Sequence, residues 1–295
     1  MLSKLLHLLP PQLAEKVFYR FVCGRASKSN GDRVQAKLQF ANDACRLNCL
    51  RGDVIGDSLF YTGAFEPLAS KELMKIATSE GGLLVDVGAN IGYFTCLWAS
   101  ANQTNRCISV EASPRNIELL ESNIHENGYS DRCELKRVAA SNQQGEVSFD
   151  QGPVAQTGWG GLTILEPMAL ATGSPRPPNS TTRATGTAAA WSGSRVIRVP
   201  CVPLSELIPT DIPIPLLKID VEGAEALVLE GAEKLFRDKR VKEVWFEDNV
   251  GRREKLGINV ERLFSVLENN GYKVKKSSRI KSLAMDFVAK LSASN

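Results

Sequence analysis

Leu83-Leu-Val-Asp86-Val-Gly88-Ala-Asn90-Ile-Gly92-Tyr93 carries an apolar run of strand length into a turn with two glycines and on into a helical pattern. A turn of this kind offers unpaired backbone N–H groups at a helix N-terminus, and glycine lets the chain approach a ligand closely. A dinucleotide enzyme would hold a pyrophosphate there, behind a G-x-G-x-x-G fingerprint. The spacing is instead D-x-G-x-x-x-G, and Asp86 would repel a phosphate but welcome a positively charged amino group. Nineteen residues past Gly92, the strand Cys107-Ile-Ser-Val-Glu111 ends in an acid. That is close to the separation of about 20 at which a carboxylate meets a ribose diol. In this order the two motifs indicate a nucleoside ligand.

A second constellation lies downstream in Leu216-Leu-Lys218-Ile-Asp220-Val-Glu222-Gly223-Ala-Glu225. Strand alternation puts Leu216, Lys218 and Asp220 on one face and Leu217, Ile219 and Val221 on the other. A lysine inside an apolar strand is costly unless it reaches a cleft or an ion pair. Two readings follow: a buried pair that fixes the strand, or a site role, since open α/β sheets bind ligands at the carboxyl ends of their strands. Val241-Lys-Glu-Val-Trp-Phe-Glu247-Asp248 ends in acids at the same edge.

The blocks Asp86-Val-Gly-Ala-Asn-Ile-Gly-Tyr-Phe-Thr95, Glu111-Ala-Ser-Pro-Arg-Asn116, and Lys218-Ile-Asp-Val-Glu-Gly-Ala-Glu225 followed by Glu230-Gly-Ala232 resemble the FkbM-type S-adenosylmethionine-dependent methyltransferases over roughly residues 60–290. The resemblance implies a class I methyltransferase (Rossmann-like) α/β fold. Its sheet has seven mostly parallel strands, the last antiparallel, with helices on both faces. It also implies S-adenosylmethionine as cofactor and O-methylation of a hydroxyl on a sugar or glycan, a lipid or a polyketide-like small molecule. On the family pattern Asp86, Gly88, Asn90, Gly92, Tyr93, Glu111 and Ala112 hold the cofactor, Asn116 supports the second loop, and Lys218, Asp220, Glu222 and Glu247 line the methyl-transfer end. An alcohol is a weak nucleophile, so in-line transfer needs alignment and a proton acceptor, for which Asp220 or Glu247 would serve. Asp220, Glu222 and Glu247 could also group around Mg²⁺, but oxygen ligands alone are weakly diagnostic and no metal is expected. Departures from the pattern are Ala112, where the family commonly carries proline, and a long insertion, Pro167–Arg195.

These residues must be positioned by a repeating strand–helix scaffold. Leu83–Val87, Cys107–Glu111, Glu134–Val138, Leu216–Val221 and Val241–Glu247 are apolar runs of strand length, and Ser113–Glu126, Ala224–Arg237 and Val260–Asn269 are helical. Such alternation predicts a mostly parallel sheet with right-handed crossovers. Upstream, residues 1–35 read as helical and Lys37–Tyr61 as a small β-meander, so 1–70 is expected to be an extension and 71–295 the methyltransferase domain. Pro167–Arg195, rich in Gly, Ser, Thr, Pro and Ala, reads as a mobile loop, with Trp159 just ahead of it expected to face the acceptor. Lys273, Lys275, Lys276, Arg279 and Lys281 read as a solvated hairpin.

Composition bounds the partners. The net charge of +3 in 295 residues gives no general drive toward nucleic acid, and no basic face with interleaved aromatics is visible. No apolar stretch reaches 18 residues, so no transmembrane segment is expected, and the N-terminus reads as mature chain with no small-x-small cleavage site. Seven scattered cysteines without a C-x-x-C pair fit a reduced, cytoplasmic compartment. The alternatives are an RNA or protein methyltransferase and a non-catalytic nucleoside-binding protein. The latter has no need of Lys218 and Asp220, and a nicotinamide oxidoreductase is disfavoured by the missing fingerprint.

Overall fold

The structure is a computed structural model that describes residues 2–22, 31–42, 44–153, 156–163, 195–276 and 287–292. The chain opens with α1 (Leu2–Leu6), α2 (Pro11–Val17) and a π-helical turn, Phe18–Val22. Then come β1 (Arg33–Lys37), β2 (Arg46–Leu50), α3 (Val54–Thr62) and α4 (Pro67–Ser79). The Rossmann-like part begins with β3 (Leu83–Val87), α5 (Tyr93–Ala101), β4 (Arg106–Val110), α6 (Pro114–Glu126) and β5 (Cys133–Lys136). It is interrupted by β6 (Ala139–Ser141), β7 (Gly145–Asp150), β8 (Gly161–Leu162), β9 (Val196–Pro203) and α7 (Leu204–Leu207). It resumes with β10 (Ile214–Ile219), α8 (Glu225–Gly231), α9 (Glu233–Arg237), β11 (Val241–Phe246), α10 (Val250–Lys255), α11 (Glu261–Asn269), β12 (Tyr272–Lys276) and β13 (Phe287–Leu291).

The main sheet has seven strands in the order β12-β13-β11-β10-β3-β4-β5. β3, β4, β5, β10 and β11 pair in parallel, and β13 runs antiparallel to both its neighbours. This is the class I methyltransferase arrangement. All five residues of β3 are buried, as a central parallel strand covered on both faces requires. One face packs on α4, α5 and α6 through Leu73, Leu97, Trp98 and Leu120, and the other on α8, α9 and α11 through Leu229, Phe236 and Leu263. Leu216 falls in the first core and Leu217 and Ile219 in the second, which is the alternation read from the sequence.

The N-terminal extension departs from the expected meander. β1 and β2 form an antiparallel pair, Arg33 opposite Leu50, so the helical reading of residues 1–35 fails at Arg33. Residues 54–62 are a helix because Asp53, in extended backbone, caps it by accepting from Gly56 N at 3.1 Å, and Gly63 closes it in the left-handed region. At Gly56 a β-carbon would stand 2.0 Å from Leu50 O, so glycine is what lets α3 lie on β2. Leu38, Leu47 and Leu59 share one core with Leu73, Leu84 and Trp98. A second sheet has four strands in the order β6-β9-β7-β8; the strand patterns ending at Leu162 and near Val196–Val199 are legible as β8 and β9, but their pairing into a separate sheet is not. The insertion read over Pro167–Arg195 lies outside the described residues except at Arg195, as do Arg279 and Lys281 of the basic run. No helix among the described residues is long and apolar enough to cross a membrane.

Candidate active site

Between β3 and β10 the strand order reverses: the chain proceeds outward to β4 and β5 on one side and to β11 on the other. The turns after these two strands diverge there and leave a crevice at their carboxyl ends. Asp220 N donates to Val87 O at 3.0 Å, which locks the two strand ends together. A cavity of about 450 Å³ lies above them. It is lined by Gly88, Asn90, Glu111, Ala112 and Asn116 on one side and by Asp220, Glu222 and Glu247 on the other.

The glycine turn is built by contact. Gly88 has φ +76°, and a β-carbon on it would stand 1.8 Å from Asp220 O, so no side chain fits. Its N–H donates to Val110 O at 2.9 Å. Asn90 also sits in the left-handed region (φ 53°) and donates its N–H to Glu111 Oε2 at 2.8 Å, while Ser113 N donates to Glu111 Oε1 at 2.8 Å. Two backbone amides thus orient Glu111, although burial still pushes its carboxyl upward. The side-chain oxygens Asn90 Oδ1 and Asn116 Oδ1 are buried without a hydrogen-bond partner.

At the opposite end the acids crowd together. Glu222 (φ 58°) accepts from Asn249 Nδ2 at 2.7 Å and lies 3.7 Å from Arg252 Nε. Burial and the neighbouring Asp220 push Glu222 up to about 7. Burial, with Asp220, Glu222 and Glu66 nearby, pushes Glu247 up to about 10. Asp220 accepts from Lys218 Nζ at 3.2 Å.

Four of the residues read as site residues from the sequence do not line the cavity. Asp86 is 1% exposed beneath the glycine turn, where Oδ2 accepts from Thr95 Oγ1 at 2.8 Å and Oδ1 lies 3.9 Å from Lys218 Nζ. Lys218, 2% exposed, stands between Asp86 and Asp220 with its ammonium 4.9 Å from the centre of the Phe94 ring. Its geometry is that of a buried pair supporting the site from below. Gly92 (φ +87°) faces α6, where a β-carbon would meet Leu120 Cδ1 at 2.5 Å. Tyr93 is buried between α4 and α5, its hydroxyl 2.9 Å from Ser70 Oγ.

The cavity also uses residues that sequence reasoning missed. Glu15, Tyr19, Asp53, Phe65 and Glu66 come from the N-terminal extension. Asp53 accepts from Thr157 N at 3.1 Å and from Thr157 Oγ1 at 2.8 Å, joining the cap of α3 to the segment that roofs the cavity. Arg115 donates to the carbonyls of Gln151, Pro153 and Gln156, Asn116 to that of Thr157, and Arg252 to that of Trp159. Trp159 lines the cavity and is 38% exposed. Sequence reasoning puts Asp53 in the expected β-meander, not at the cap of α3, and nothing in the sequence ties it to Thr157.

The Methyltransferase FkbM domain matches residues 86–274. The chain belongs to the FkbM methyltransferase family. Among solved structures, an FkbM methyltransferase from Methylobacillus flagellatus KT aligns with 13% identity and a TM-score of 0.43, over 71% of this chain and 43% of that longer one. The precorrin-6y C5,15-methyltransferase of Geobacter metallireducens GS-15 aligns with 12% identity and a TM-score of 0.38, over 76% of this chain and 88% of that one. No curated protein matches. FkbM membership implies S-adenosylmethionine as methyl donor, and the cavity suits it. Seven carboxyl-bearing residues line it, from Glu15 to Glu247, with no lysine or arginine among the described lining, which favours a sulfonium and an ammonium over a phosphate. The unpartnered oxygens of Asn90 and Asn116 offer acceptors to a nucleoside's N–H and O–H groups.

Proposed function

We propose that this FkbM protein is an S-adenosylmethionine-dependent O-methyltransferase acting on a hydroxyl of a small molecule or glycan, with sugars, lipids and polyketide-like molecules as the acceptor classes. The observation that carries the reading is that the glycine cradle and the acids Asp220, Glu222 and Glu247 share one cavity. Gly88, Asn90, Glu111, Ala112 and Asn116 would hold the cofactor, which supplies an electrophilic methyl group when bound. Asp220 would orient the acceptor hydroxyl and take its proton, with Lys218 fixing the carboxylate from behind. Glu247, pushed to about 10, is protonated near neutrality and would donate a hydrogen bond rather than act as base. Asp86 would support the cradle through Thr95, and Tyr93 would brace the Phe65–Glu66 turn through Ser70. Trp159 gives the acceptor an aromatic face on the roof.

The acidic lining also disfavours nucleic acid as acceptor, because phosphates would be repelled from it. On this reading residues 71–295 form the catalytic domain and 1–70 an extension that completes the cavity. The cytoplasm suits the six described cysteines, all buried and none in a disulfide. Calorimetry with S-adenosylhomocysteine tests the assignment. Saturable binding is expected, weakened by more than about tenfold, or 1.4 kcal/mol, in Gly88→Val and Glu111→Ala. Tight NAD binding without any response to S-adenosylhomocysteine would overturn it.

A further inference from the structure

Glu66 lies immediately before Pro67, upstream of the residues that the FkbM domain matches. It lines the cavity, is 4% exposed, and its Oε2 has no hydrogen-bond partner. Its backbone is left-handed, φ 46° and ψ 64°, a conformation that glycine adopts freely and a side chain strains to hold. Its carbonyl accepts the first bond of α4, from Ser70 N at 2.9 Å, but any residue would provide that. Burying an unsatisfied carboxyl and straining the backbone both work against the fold. No hydrogen bond to Oε2 offsets either cost, which points to a ligand in the cavity.

We infer that Glu66 is a charge-selecting residue of the methyl-transfer end, favouring a cationic or neutral hydrogen-bond donor there and rejecting anionic groups. The inference rests on the S-adenosylmethionine-dependent reading and deepens it: once Glu66 is ionised, acceptors bearing a phosphate, sulfate or carboxylate next to the reacting hydroxyl are excluded. The ionisable groups around it are Glu15 on α2, Tyr93 on α5, Lys218 on β10, Asp220 just beyond that strand, and Glu247 after β11. Burial first and Asp220 second push the Glu66 carboxyl up to about 8, against the pull of Lys218. It is therefore a neutral hydrogen-bonding group below that pH and a full negative charge above it.

Two probes separate charge from shape. Sinefungin carries an amine where S-adenosylhomocysteine has a neutral thioether, and both bind without turnover. In calorimetry at pH 8.5, Glu66→Gln should lower the sinefungin to S-adenosylhomocysteine affinity ratio by about tenfold, and at pH 6.5 by less than about twofold, with S-adenosylhomocysteine itself changed less than about threefold. Glu66→Gly, which relieves the backbone, should raise the melting temperature and lose the same preference. A wild-type affinity ratio in Glu66→Gln at pH 8.5, or a lowered melting temperature in Glu66→Gly, overturns the inference. Failure of the unsubstituted protein to bind either compound is a different result, because it removes the S-adenosylmethionine reading on which the inference stands.

Discussion

Lys218→Met tests whether the buried ammonium holds the strand ends together. Lys218 is 2% exposed, 3.9 Å from Asp86 and 3.2 Å from Asp220, so methionine would fill its volume and leave two carboxyl groups without their counter-charge. Removing one partner of a buried pair costs about 3–5 kcal/mol. For a chain of this size the loss corresponds to a melting temperature lower by about 6–15 °C. The pH dependence makes the test specific. Burial already pushes Asp86 upward and Lys218 opposes it, so without the lysine the folded carboxyl rises further above its unfolded value. The native state then binds a proton that the unfolded chain releases, and the deficit of the variant should grow with pH by up to about 1.4 kcal/mol per unit. Urea denaturation at pH 5.5, 7 and 8.5 would measure this, with Lys218→Met/Asp86→Asn recovering at least half of the loss. A deficit below about 1 kcal/mol at pH 8.5, or one independent of pH, would refute the reasoning.

Asp220→Asn should leave S-adenosylhomocysteine binding nearly intact and lower methyl transfer by about 10² to 10⁴, measured with labelled methyl donor; unchanged turnover removes the acid from the mechanism. Chelator treatment of the parent enzyme should leave its activity in place, and loss restored by added Mg²⁺ would point to metal assistance instead. Asp53→Ala removes the α3 cap and the two bonds to Thr157, so a stability loss of about 1–3 kcal/mol is expected in urea denaturation. A weaker S-adenosylhomocysteine affinity should accompany it, as the roof segment loses its anchor. Glu15, Glu222 and Glu225 are pushed to about 7 and Glu66 to about 8, all above their unfolded value of 4.5. The folded state therefore holds extra protons between these limits, and the melting temperature of the ligand-free protein should fall as pH rises from about 5 to 8.5. A flat or rising profile by scanning calorimetry contradicts that sign.

What is local to the chain was readable from its residues alone. Strand-length apolar runs, helical spacing and the glycines of the 83–95 block placed β3, β10 and the turn between Val87 and Tyr93, because side-chain periodicity and backbone freedom act over a few residues. The family motifs carried the rest of the Rossmann-like part, including the antiparallel last strand. Tertiary structure alone decided which of those residues face the ligand. Asp86, Lys218, Gly92 and Tyr93 are all in the motifs, yet each turns into the packing beneath the cavity, where the alternation of a strand or the facing of a helix sets its direction. Asp53 meets Thr157 across 104 residues of chain, and Glu66 meets the Asp220 end of the cavity only because the extension shares a core with α5. Such contacts leave no periodic trace, since they depend on where two distant segments are brought together by burial rather than on the spacing within either one.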